Sequence, residues 1–261
     1  MSRPLPSAPD RPGFRASFDQ LRRAQKTRKG VPLYLLYVNR PAGRAVAAAL
    51  RRTPVTPNQL TWAGAVLTYG TLIWLAVWAQ PQPGTALAGV LLAAGYVLDS
   101  ADGQLARLQG SSSAYGEWLD HLLDNGRMTV MHVAAFCFLA RTTDYDVVLL
   151  ALGCGIFLLA SSLIFFGGVL FDQLARNIRP RPGTRDGQTS VEGAAGGSGD
   201  RRLLVRSVVM LPVDYGMTCL AFLLTPIPPA FLTVYLILAA AHVLIGAAFM
   251  RHWRAKLLGL G

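Results

Sequence analysis

Four aspartates carry the chemistry available to this sequence. Asp99 and Asp102 are three residues apart, and Asp120 and Asp124 are four apart. On a helix, either spacing puts both carboxylates of a pair on one face. Both pairs sit at the ends of apolar runs, where even one aspartate at mid-membrane costs about 2.5–3.5 kcal/mol. Four such groups held together also repel, so a cation must offset them. The donors are all oxygen, with no thiol or imidazole in the pattern. That selects a hard divalent ion, Mg²⁺ first and Mn²⁺ second, and four carboxylates can hold two ions.

The residues between the pairs fit a phosphate-bearing ligand. Gly103 and Ala106 lie on the helix face of Asp99 and Asp102, where absent side chains let a flat base or a ribose approach the backbone. Arg107 adds a fixed cation that can meet phosphate. Arg127 shares the face of Asp124, to pair with a carboxylate or to meet a phosphate. His121 follows Asp120 directly and is expected to point away from it. His132, His242 and His252 form no cluster. Asp172 and Arg176 read as a local helix pair, and Arg206 and Asp214 as sharing one face near a later span.

The elements that must position these groups are membrane helices. Hydrophobic residues make up 52% of the 261 residues and charged residues only 15%, against about 25% charged in soluble domains. Six apolar spans are expected, at 59–79, 85–107, 115–140, 147–171, 204–224 and 229–250, each near or above the ~20 residues that cross a bilayer. Thr56-Pro57-Asn58 reads as the start of the first. Residues 1–15 are expected to be a disordered tail. Residues 16–55 mix apolar and basic residues in a way that suits interfacial amphipathic helices, broken at Pro32 and Pro41. The six-helix domain is expected over 56–252, with a flexible 183–200 loop and a 253–261 tail. The first apolar run starts too late for a signal peptide, so it is expected to be retained. Cys137, Cys154 and Cys219 lie scattered in apolar runs, which excludes a disulfide framework or zinc signature.

Charge sets the expected orientation. The net charge is +11, and all but Arg127 and Arg141 of the 25 Lys and Arg fall on one side of the expected topology. The positive-inside rule puts both termini, and with them the four aspartates, at the cytoplasmic side of a cell membrane. Topology and anionic lipid account for the excess charge, and nucleic acid is excluded as a partner.

The pattern Asp99-x₂-Asp102-Gly103-x₂-Ala106-Arg107-x₈-Gly116-x₃-Asp120-x₃-Asp124 resembles the signature of the CDP-alcohol phosphatidyltransferase family, matched at every fixed position. The six-helix layout and the Pro57-Asn58-x₂-Thr61 start are also similar to that family. The resemblance implies an all-α integral membrane enzyme that moves a phosphatidyl or phospho-alcohol group from a CDP-linked donor to an alcohol, releasing CMP. It implies metal ligation by Asp99, Asp102, Asp120 and Asp124, with Asp124 also the general base. It implies contacts to the CDP part from Asn58, Thr61, Gly103, Arg107 and Ser113, and a homodimer.

Within that reading the donor is expected to be CDP-diacylglycerol, with a soluble donor such as CDP-inositol as the alternative, at which Tyr37-Val38-Asn39-Arg40 hints. Arg127, Arg176, Arg202 and Arg206 lean the acceptor toward an anionic alcohol. The rival from another class is a divalent-cation transporter. The acids cluster at one edge rather than crossing the membrane, which counts against it. An inactive scaffold is disfavoured by the intact motif.

Overall fold

The computed structural model describes residues 13–23, 31–178 and 207–259, with the side chains of 176–178 excepted. Every regular element among them is helical. In chain order these are α1 (Phe14–Arg23), α2 (Arg40–Leu50), α3 (Pro57–Val77), α4 (Leu87–Gln109), α5 (Ala114–Thr142), α6 (Val147–Ile178), α7 (Tyr215–Ala221) and α8 (Pro228–Leu258). Four runs are long and apolar enough to cross a membrane: α3, the 83–109 run containing α4, α6 and α8. Their outer faces carry exposed Val66, Ile73, Leu149, Leu159, Phe166 and Leu244, as lipid-facing surfaces do. The 29 residues of α5 extend about 43 Å at 1.5 Å per residue.

The ends of the central helices follow from local sequence. Thr56 caps α3 by accepting from Gln59 N, and Gln59 reciprocates toward the Thr56 N–H, with Pro57 in the first turn where its missing donor costs nothing. Gly110 ends α4 with φ +65°, the left-handed conformation only glycine adopts freely. Ser113 then caps α5, accepting from Gly116 N at 3.0 Å. The loop between the two aspartate-bearing helices is therefore only a few residues long, and α4 and α5 run antiparallel.

Two cores hold the bundle. The larger joins Leu72, Leu92, Phe138, Phe157, Phe222 and Tyr235 from α3 to α8. The smaller lies behind the aspartates, where Leu21 of α1 and Ala47 of α2 meet Leu60, Ala101, Leu105 and Leu108. Within α1, Leu21 is buried in this core while Phe14 stays half exposed.

Other expectations change at element ends. The first helix begins at Phe14, inside the expected 1–15 tail, and α8 continues through Leu258, inside the expected 253–261 tail. Pro41 does not break the chain. It follows a π-helical stretch, Leu35–Asn39, in which the Arg40 N–H reaches back to Leu35 O. That wide turn admits the proline ring into the first turn of α2. The expected 204–224 span is interrupted within its described part. A 3₁₀ turn at Leu211–Val213 contains Pro212, and helix resumes at Tyr215 with Asp214 as its cap. The 183–200 loop lies outside the described residues.

Candidate functional site

Helix geometry brings the carboxylates together as their spacing requires. Oxygens of Asp99, Asp102 and Asp120 lie within 4.8 Å of one another, and a second such group joins Asp120, Asp124 and a ring nitrogen of His121. The two groups share Asp120. The four aspartates therefore converge as two overlapping triads.

Each carboxylate is held by a different device. Thr61 Oγ1, from α3, donates to Asp102 Oδ2 at 2.5 Å, and Pro57 O lies 3.1 Å from the same hydroxyl. The Gly103 N–H meets the other Asp102 oxygen. Arg127, almost wholly buried, donates through one nitrogen to both Asp99 and Asp124. It is thus the counter-ion of one carboxylate from each helix, the pairing role the sequence allowed. The Arg127 guanidinium also lies 5.5 Å from the Tyr215 ring centroid.

The aspartates stand between two cavities. The larger, about 780 Å³, is lined by all five residues expected to contact the CDP part: Asn58, Thr61, Gly103, Arg107 and Ser113. Asp102 and Asp120 form its floor, and the first turns of α3 and α5 both open into it. Free N–H groups at a helix start favour anions. Arg107 is exposed on the same wall. A Cβ at Gly103 would meet no atom within 4 Å, so the backbone there is open to a ligand. One at Gly116 would come 3.2 Å from Ser113 Oγ and 3.4 Å from Asn58 Oδ1, so Gly116 lets the two helix starts approach. The Ser113 hydroxyl accepts from Gly116 N and keeps its own proton to donate.

The smaller cavity, about 250 Å³, includes Asp124, Arg127, Tyr96, Asp214 and Tyr215 in its wall. Asp214 accepts from Leu35 N and Gly216 N, each at 2.9 Å, so one carboxylate ties the segment before α2 to the start of α7. Tyr34 stacks beside Tyr96, and burial, then the neighbouring Cys219 and Asp214, push its phenol above the ordinary range.

Some residues take places the sequence did not foretell. His121 was expected to point away, yet it lines the larger cavity beside Asp120, because that cavity wraps around the first turns of α5. Asp172 and Gly168 of α6 close the same cavity, whereas Asp172 read only as half of a helix pair. Gly168 and Asp172, four apart at the end of an otherwise apolar span, were the available signal. Asp214 lines a cavity, but the Arg176 side chain, Arg202 and Arg206 lie outside the described residues. His132 and His242 are core groups: His132 meets Tyr235 Oη at 2.5 Å and Ser161 Oγ at 3.1 Å, and His242 bonds Leu238 O. Cys154 and Cys219 are buried and Cys137 half-buried, all three as free thiols.

The residues present fit a divalent metal. Asp102 is buried, its oxygens face two other carboxylates, and the donor set is oxygen-rich.

Comparison with known proteins gives the same region a family. Residues 54–174 match the model of the CDP-alcohol phosphatidyltransferases. Among curated proteins, the chain is 38% identical over 87 residues to an archaetidylinositol phosphate synthase of Pyrococcus horikoshii, covering 33% of this chain and 43% of that one. It is 44% identical over 69 residues to a bifunctional IPC transferase and DIPP synthase of Aquifex aeolicus, covering 26% of this chain and 15% of that one. The chain therefore spans less than half the length of either relative. The matched stretch, a little under half of the chain, contains every aspartate of the two triads and all five expected nucleotide contacts, so the likeness to the CDP-alcohol phosphatidyltransferase family covers the whole candidate site.

Proposed function

We propose that the chain is a membrane transferase that moves a phosphatidyl or phospho-alcohol group from a CDP-linked donor to an alcohol, releasing CMP. The observation that carries this reading is the position of the aspartates, at the junction of an anion-receptive cavity and a second, smaller one. The larger cavity receives the CDP part. Two helix starts, Arg107 and the Ser113 hydroxyl take the diphosphate, and the open backbone at Gly103 takes the base or ribose. The smaller cavity receives the acceptor. There Asp124 can take the proton of an incoming hydroxyl while Arg127 holds its Oδ1 in place. Asp99, Asp102, Asp120 and Asp124 would hold Mg²⁺ or Mn²⁺, two ions in our reading. Such ions stabilise charge building on the diphosphate as CMP leaves.

The acceptor and donor classes follow from weaker signs. The one described cation in the smaller cavity, Arg127, is already bonded to two carboxylates, so this wall suits hydroxyl groups of a polyol better than a free anion. CDP-diacylglycerol remains the first donor to try. The archaetidylinositol phosphate synthase among the relatives supports including inositol phosphate among the acceptors, with CDP-inositol as the alternative donor.

Six spans with cytoplasmic termini are the topology this reading needs. It places 16–55 as a basic juxtamembrane region and 56–252 as the catalytic domain of a homodimer. The test is CMP release by the purified protein with CDP-diacylglycerol or CDP-inositol and a panel of alcohols. No release with any pair, with Mg²⁺ or Mn²⁺ present, sinks the proposal. Uptake of Mg²⁺ into liposomes without any CDP compound would favour a transporter instead.

A further inference from the structure

The two triads differ in their donors, and the difference lies in His121. Asp99, Asp102 and Asp120 offer oxygen only, whereas the second triad offers oxygen from Asp120 and Asp124 and nitrogen from His121. Resting on the metal-dependent reading above, we propose that His121 is a metal ligand, which makes the second position a mixed nitrogen–oxygen site that favours Mn²⁺ over Mg²⁺.

Three observations support this. First, the ligand atoms of the second triad lie within 4.8 Å of one another. In a six-coordinate ion with bonds of about 2.1 Å, adjacent ligands stand about 3.0 Å apart and opposite ones about 4.2 Å, so side-chain movements of at most an ångström or two would close the site. Second, His121 Nδ1 is fully buried, yet it has no hydrogen-bond partner among the described residues. Buried polar atoms are rarely left so, and this one belongs to a ring that has a nitrogen within 4.8 Å of the Asp120 and Asp124 oxygens. Third, His121 lines the larger cavity beside Asp120, and its ring packs edge-on against Phe165, 6.4 Å between centroids, which limits its swing. The other histidines stand elsewhere: His132 and His242 are engaged in the core, and His252 is exposed near the end of α8.

Imidazole binds Mn²⁺ and later transition ions far better than Mg²⁺, which keeps oxygen ligands and water. One aspartate-only position and one mixed position, sharing Asp120, would then give the two metals different identities.

The experiment is pulsed electron paramagnetic resonance on the purified full chain with Mn²⁺ added. The expected result is a ¹⁴N modulation typical of bound imidazole, replaced by the ¹⁵N pattern when histidine is ¹⁵N-labelled. His121→Ala and His121→Asn should both lose it, and His252→Ala should keep it. Mn²⁺ affinity should fall about tenfold in the two His121 variants, with Mg²⁺ affinity changed much less. If a variant fails to fold, labelling of the wild-type chain still decides. Mn²⁺ bound without nitrogen modulation overturns the inference and leaves the transferase reading standing. No Mn²⁺ binding at all also overturns the inference, and the transferase reading then stands or falls on CMP release with Mg²⁺.

Discussion

Thr61 Oγ1 stands 2.5 Å from Asp102 Oδ2, the closest tie between α3 and the aspartate-bearing helices for which a side chain serves both ends. One hydroxyl on a helix that carries no acid thus orients a carboxylate on the next. Thr61 also lines the larger cavity, so it both positions Asp102 and borders the proposed nucleotide site. Thr61→Val keeps the shape and removes the donor. It should lower divalent-metal affinity between tenfold and a hundredfold, the usual range when a ligand loses its orienting partner. Thr61→Ser should restore most of it. Mn²⁺ titration of the two variants checks this, and equal affinities would contradict it.

Arg127 neutralises one carboxylate on each of α4 and α5. Arg127→Ala would leave two partly buried acids without their cation, which costs on the order of 1–3 kcal/mol, less than the loss for a fully buried pair. The variant should melt at a lower temperature in detergent, and divalent metal should recover part of the loss by supplying the missing charge. A wild-type melting temperature without added metal would show that Arg127 has no such role.

Gly103 faces open space, so a larger residue there fills the cavity without striking the protein. Gly103→Val should raise the KM for the CDP-linked donor by about tenfold or more, since it displaces a ligand rather than a catalyst. Metal affinity should stay near wild type. A drop in kcat at unchanged KM would instead place Gly103 in the chemical step.

The pair His132 and Tyr235 gives the contrasting case. It lies in the main core, bonded at 2.5 Å and backed by Ser161. Tyr235→Phe should cost about 1 kcal/mol of stability, the usual net worth of one hydrogen bond. CMP release per folded molecule should not change. A selective loss of turnover with unaltered melting would mean that this network reaches the reaction.

How far the sequence alone went can be judged residue by residue. Asp99, Asp102, Asp120 and Asp124 were legible because fixed helical spacing sets which face each occupies, and the short Gly110–Ser113 connection turns α4 back into α5, both packed on α3, so that their acidic faces meet. Thr56 and Pro57 announced the start of α3 by capping chemistry that is local in the chain. The place of His121 was not legible. Helix geometry separates it from Asp120 by about 100°, but it cannot say that the cavity curves around both. The interruption at Pro212 was visible as a proline, yet composition kept the stretch within one apolar run. Asp214 could not have been matched to Leu35, because the two are 179 positions apart and the bond uses a backbone N–H that any residue would offer.

That carboxylate sets a limit on shortening the protein. Pro32 and Leu35 belong to the wall around Asp124, and Asp214 anchors that wall through a single main-chain bond. Trimming the chain from its beginning to a point past Leu35 would remove no aspartate of either triad. It would nonetheless unroof the smaller cavity and leave Asp214 with half its grip, so an expression variant begun at α2 would be expected to bind nucleotide and yet leak its acceptor.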